Sequence, residues 1–292
     1  MSRRAWTAFA VVSVLWGFPY LFIKLAIDGG APPLIVAWGR IALAAVVLLP
    51  IAWRSGTLPA LRGRMRWLLT FAMVEIAIPF SLLPTGESTV ESSTAAIAIA
   101  AAPLLVTLLA IRFEPEERAT GVRLAGLLIG LAGVVALVGV DIGSNTDELR
   151  GVGAVLLAAL GYAIGPMILK RHLTDLDPTA LMGFCLAIAA LVLTPIAAAL
   201  VPEASPSAGA FASIVFLGIF CTALALVLMA VLVTEAGPGR ALVVTYVNPV
   251  IAVALGIVFL GESPGPGAIV GLVLILAGSR LATSGPPPPP PA

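Results

Sequence analysis

Charge is what this chain of 292 residues has least of: Asp, Glu, Lys and Arg make up 11% of it, against about 25% in soluble proteins. Hydrophobic residues make up 60% and the mean hydropathy is +1.11, which excludes an ordinary water-soluble domain. The single histidine, His172, falls in a loop between apolar runs. Its position disfavours histidine catalysis or a histidine metal site within an apolar core. Cys185 and Cys221 lie inside apolar runs without metal-ligand spacing and read as buried inert thiols. No Walker A loop occurs, and Asp141 has no second buried aspartate to form a proteolytic pair. Lys and Arg are missing from 173–239 and from 241–279, which disfavours phosphorylated substrates that need several cations. No catalytic residue, metal, cofactor or nucleic-acid partner is expected.

What the chain does have is long apolar runs. Ten of them, at 5–27, 33–53, 67–85, 91–111, 122–140, 151–170, 178–201, 209–233, 239–260 and 266–283, are about the length that crosses a bilayer core as helix. The fold class expected is an all-α integral membrane protein with ten transmembrane helices. The first run follows Arg3 and Arg4 but is too long for a signal-peptide core, and it reads as the first span. Basic residues set the orientation. Thirteen of the 16 Lys and Arg fall on the side that also holds both termini, including Arg54, Arg62, Arg64, Arg66, Arg112, Arg118, Arg123, Arg171 and Arg280. Both termini are expected in the cytoplasm, with the chain in the cytoplasmic (inner) membrane.

The two halves repeat at a shift of about 146 residues, half the length of the chain. Ala102-Pro103-Leu104-Leu105 returns as Asn248-Pro249-Val250-Ile251. Trp16-Gly17, eight residues before Lys24, returns as Tyr162-Ala163 before Lys170, and Leu131-Ala132-Gly133 returns as Leu276-Ala277-Gly278. Five spans per half is an odd number, so the second half must enter from the opposite side. The expectation is two inverted five-helix repeats, 1–145 and 146–283, and a Pro-rich disordered tail, 284–292.

Polar residues inside such runs mark candidate sites. Ser13, Trp16, Tyr20 and Lys24 share one face at helical spacing, with Trp16 and Tyr20 roughly 16–22 Å into the span. That is too deep for an interfacial aromatic belt. They line a cavity or pack between helices, while Lys24 and Lys170 read as snorkelling anchors. The repeat-equivalent stripe is Tyr162, Pro166 and Lys170. Arg40 and Glu75 read as the only ionisable residues well inside the spans, at similar depth. Either they form a buried ion pair, or one faces the cavity and binds substrate charge, or Glu75 takes up protons. Phe80, Tyr246 and Asn248 complete the cavity candidates. Pro19, Pro79, Pro103, Pro166 and Pro249 are candidate kinks, since each removes a helical hydrogen bond. The run Ser92-Ser93-Thr94-Ala95-Ala96 reads as a close helix-packing surface.

In order and spacing these motifs resemble the EamA-type repeat of the drug/metabolite transporter superfamily. The residues that carry the resemblance are Trp16-Gly17-Phe18, Arg40, Ala102-Pro103, Glu117 followed by Gly126 and Gly133, and Pro249 with Gly261-Glu262 and Gly271. The chain departs from the pattern at Arg112–Glu117, where a Gly-Glu pair is usual, and at Tyr162, where Trp is common. The resemblance implies a carrier that exports amino acids, other metabolites or toxic compounds without ATP hydrolysis. Few charges and several aromatics suit a small zwitterion with an apolar body. The expectation is export of neutral or aromatic amino acids by alternating access through a cavity between the repeats. The alternatives are proton-coupled efflux of lipophilic or quaternary cations, or an uncoupled facilitator or channel. The expected partners are the small-molecule substrate and the lipid bilayer, with protons as the coupling ion in the proton-coupled alternative.

Overall fold

A computed structural model describes residues 2–113, 121–142, 145–237, 241 and 243–283. Among them the regular structure is entirely helical. Eight helices are long and apolar enough to cross a membrane. They are α1 (Arg3–Asp28), α2 (Pro33–Arg54), α3 (Met65–Glu87), α4 (Ser92–Ile99, resuming as Ala102–Phe113), α5 (Val122–Ala136, continued by Leu137–Ile142), α6 (Thr146–His172), α7 (Pro178–Ala199) and α8 (Ala208–Ala236). The last two, α9 (Val244–Leu260) and α10 (Pro266–Ala282), are shorter. Ten spans were expected, and these two are shorter among the described residues; the start of the expected 239–260 run lies partly outside them. At 1.5 Å per residue each reaches about 26 Å, less than a hydrocarbon core of about 30 Å. Gly261, at φ 67, ends α9 in the left-handed conformation, and Pro266 opens α10, so neither can lengthen there.

Helix starts follow from capping chemistry. Ser2, Asn145, Asp177 and Ser207 accept backbone N–H bonds at the starts of α1, α6, α7 and α8. The start of α4 has no such residue of its own. Glu262, beyond the end of α9, accepts the Ser92 and Ser93 amides at 2.7 and 3.0 Å. Its negative charge also suits a helix N-terminus. Burial and the Glu262 charge hold the carboxyl of Glu91, in the connection before α4, above the usual carboxylate range. Glu262→Ala is expected to lower stability by about 1–2 kcal/mol. Cys185 and Cys221 are fully buried, so a thiol-reactive dye in a detergent melt reports the loss.

Packing follows a regular scheme. The most extensive pairings are α5 with α10 and α2 with α7. α3 lies on α6 as α8 lies on α1, α4 lies on α6 as α9 lies on α1, and α4 meets α9. Each pairing thus has a counterpart five helices on. The α5–α10 seam is made of glycine: Gly126, Gly130 and Gly133 face Gly271 and Gly278 at backbone contact.

The helices are not uniform. Residues Ala72–Ala77 of α3 and Leu217–Leu224 of α8 form wide turns of π type, which recur at functional sites. They coincide under the 146-residue shift. α1 bends at Phe18, just before Pro19, and Pro79 follows the wide turn of α3. α4 breaks at Ala100 and Ala101, just before Pro103. Pro166 and Pro249, expected as kinks, lie inside α6 and α9, where each lacks the backbone N–H of an ordinary helical residue.

Candidate functional site

Arg40 is the centre of the candidate site. The second helix must bury it, because both neighbours on its face, Val36 and Ala44, are fully covered. Arg40 itself is 7% exposed. Its Nε donates to Thr222 Oγ1 at 2.7 Å, and its guanidinium lies 4.2 Å above the Phe80 ring. Thr222 sits in the wide turn of α8 and donates its own proton to the Leu217 carbonyl at 2.8 Å. Phe80 in turn meets Tyr162 edge to face at 6.3 Å. Three helices thus fix the guanidinium plane, while its two terminal amino groups have no hydrogen-bond partner among the described residues.

Tyr20 is 6% exposed, and Arg40, Tyr162 and Glu87 are all within electrostatic range of it. The structure therefore brings together Tyr20, Arg40, Phe80 and Tyr162 from α1, α2, α3 and α6. An Arg with an open, planar fork beside aromatic walls can bind a carboxylate through two parallel bonds and cover an apolar body.

Glu75 lies within electrostatic range of Tyr162 but does not meet Arg40. It sits in the wide turn of α3 with its carboxyl packed against Gly165 of α6, and its Oε2 is buried without a partner. No ion pair joins it to Arg40, whose Nε is on Thr222 instead. The wide turn is the reason: it carries residue 75 round toward α6, while Arg40 faces α8.

Other expected cavity residues fasten helices. Trp16 packs in an apolar cluster with Val12, Leu232 and Val244, at the contact of α1 with α8 and α9. The Asn248 amide, in its hydrogen-bonding orientation, donates to Val244 O at 2.9 Å and Ser13 O at 3.1 Å. The Tyr246 hydroxyl lies 2.7 Å from Thr283 Oγ1 and 3.3 Å from Ser279 O, which ties α9 to α10. These three belong to seams between helices and not to the Arg40 group.

Thr222, Cys221 and Glu87 were missed in the sequence. Cys221 stands 146 residues after Glu75 and is within electrostatic range of Arg40. The repeat shift was the one signal that pointed at this stretch. Glu87 was passed over because it falls at the end of an apolar run, yet it has no exposed surface. A cavity of about 280 Å³ opens elsewhere, lined by Trp67, Leu109, Ile164, Met167, Arg171 and His172, with Trp67 and His172 stacked.

Comparison with known proteins bears on the family and the fold. A model of the EamA-like transporter family matches the chain twice, over residues 4–139 and 149–284. The "Uncharacterized inner membrane transporter YedA" of Escherichia coli (strain K12) is 28% identical over 256 residues, spanning 86% of this chain and 81% of that protein. A "Probable terminal-alkyne amino-acid exporter" of Streptantibioticus cattleyicolor is 29% identical over 290 residues, spanning 96% and 93%. A solved crystal structure shares the fold, with a TM-score of 0.68 at 22% identity and coverage of 96% of this chain and 97% of its own.

Proposed function

The chain belongs to the EamA-like transporter family, and from that premise we propose that it is a secondary exporter of small amphipathic zwitterions, foremost neutral and aromatic amino acids. One observation carries the reading: Arg40 is held by Thr222 and Phe80, its terminal amino groups have no hydrogen-bond partner among the described residues, and Tyr20 and Tyr162 lie within electrostatic range. The fork receives the substrate carboxylate, and the rings of Tyr20, Phe80 and Tyr162 cover its side chain. A buried cation at the centre argues against lipophilic or quaternary cations as cargo. Similarity to a relative named as an amino-acid exporter supports the substrate class. Similarity to one named as an inner membrane transporter supports the location.

The architecture proposed is two inverted five-helix halves with both termini in the cytoplasm. Helix pairings that recur five helices on, wide turns related by the same shift, and the twofold family match support it. Rocking of one half against the other would present the Arg40 group to each side in turn. Glu75, unpaired against Gly165, stays a candidate for proton uptake within this reading.

Counterflow tests it. Proteoliposomes loaded with unlabelled L-phenylalanine are expected to accelerate uptake of the labelled amino acid, as a carrier does and a channel does not. Flux that is indifferent to the trapped amino acid would overturn the carrier, and no protein-dependent flux across a panel of neutral amino acids would overturn the substrate class.

A further inference from the structure

A carboxyl at the end of α3 is unaccounted for by the Arg40 group. Glu87 has no exposed surface, and neither of its carboxyl oxygens has a hydrogen-bond partner among the described residues. Five charged and titratable groups lie within electrostatic range of it. They are Tyr20 and Lys24 from α1, Arg40 from α2, Tyr162 from α6 and Glu262 from beyond α9. None neutralises it by contact. Lys24 Nζ donates to the backbone carbonyl of Glu87 at 3.3 Å and lies 3.8 Å from Asp28 Oδ1. Glu262 has both oxygens on the Ser92 and Ser93 amides, and Glu91 accepts from Ser93.

A lone carboxylate in such surroundings needs a compensating positive charge. Both oxygens are covered by protein, so the occupant cannot require room. A substrate ammonium or a metal ion needs space; a proton needs none. We propose that Glu87 is a proton-binding site of the transport cycle, with Lys24 as its switch. The proton stays while Lys24 is engaged with Asp28, and leaves when the ammonium swings to the Glu87 carboxylate. On release the O–H bond breaks and the proton passes to water on the side of Asp28, whose side chain is 56% exposed. The Lys24 ammonium then balances the charge left behind. Arg40 is within electrostatic range, so the state of Glu87 is felt at the fork and the two occupancies are linked.

The coupling role rests on the transport reading, but the first test does not. Infrared difference spectra of the full-length protein in detergent, taken across a pH jump without substrate, read the proton directly. Wild type minus Glu87→Gln is expected to show the carbonyl band of a protonated carboxyl at neutral pH. Glu75→Gln, measured alongside, identifies the band of the other buried carboxyl. Lys24→Met is expected to keep the Glu87 proton bound to higher pH, because the compensating ammonium is gone. A wild-type spectrum with only ionised carboxylate, or a Glu87→Gln protein that keeps the full band, would overturn the proposal. Should Glu87→Gln not purify, Glu87→Asp is expected to shift the band without removing it, and an unshifted band counts against the site. In proteoliposomes, Glu87→Gln is expected to abolish flux of labelled L-phenylalanine driven by a pH gradient, while the exposed Glu91→Gln keeps it. A Glu87→Gln protein that still responds to the gradient refutes the coupling role. The band present with no phenylalanine flux in wild type would support the proton site and refute the substrate reading.

Discussion

Replacing Arg40 by methionine is expected to abolish amino-acid exchange while leaving the protein at least as stable as the natural chain. The two effects separate because Arg40 has no anionic partner by contact. Its Nε is on a neutral hydroxyl, and its plane rests on Phe80. A charge at mid-span costs about 2.5–3.5 kcal/mol on insertion scales, and methionine relieves that cost without stranding a carboxylate. For binding the loss is large. Each charge-assisted bond to a substrate carboxylate is worth about 1.5–3 kcal/mol, so losing both weakens affinity by more than about a hundredfold. Arg40→Lys is expected to rescue weakly, since an ammonium keeps the charge but neither the planar stack nor the paired donors. Counterflow and the thiol-dye melt read the two halves of this prediction separately. Methionine-substituted protein that exchanges L-phenylalanine with unchanged half-saturation would remove Arg40 from the site. Protein that melts far below the natural chain would make Arg40 a structural residue.

The other large effect is expected at the glycine seam. A Cβ on Gly278 would overlap the backbone of Gly130 and stand 2.6 Å from the Gly126 carbonyl oxygen. Those neighbours are main chain, so no rotamer change makes room; the helices must move apart. Separation would also open the Gly133–Gly271 contact, where a Cβ on either glycine meets the other's carbonyl oxygen at 2.9 Å. Overpacking of a closed interface costs typically 1–3 kcal/mol when side chains can yield, so about 3 kcal/mol or more is expected for Gly278→Ala, and no folded protein for Gly278→Leu. Gly153→Ala is the matched control, because a Cβ there meets nothing within 4 Å. It is expected to change stability by no more than about 1 kcal/mol, in the stabilising direction. Equal melting of the Gly278→Ala and natural proteins would mean that α5 and α10 do not rely on this approach.

How much was legible follows from which interactions are local. Runs of apolar residues dictate helices because their polar backbone, in lipid without water, must satisfy its own hydrogen bonds, so 178–201 anticipates Pro178–Ala199 closely. The repeat shift was legible as well, and it pointed at wide turns it could not reveal. Helical phase was misleading wherever it was assumed unbroken. Counting residues placed Glu75 beside Arg40 in depth, but the wide turn of α3 rotates Glu75 to Gly165. Tyr246 and Asn248 look like a cavity cluster by composition, yet their partners, Thr283 and Ser13, lie 37 and 235 residues away in the chain. Glu87 shows the same limit from the other direction: at the end of a run it reads as interfacial, and only the helices folded over it bury it.

The sequence by itself determined the solvent, the helices, the repeat and the family, because each rests on composition or on neighbours within a few turns. Tertiary structure decided the rest. It chose Thr222 and Phe80 over Glu75 as the partners of Arg40, and it closed protein over the carboxyl of Glu87. Those choices depend on which helix faces which and on where a turn widens, and contacts between distant residues set both.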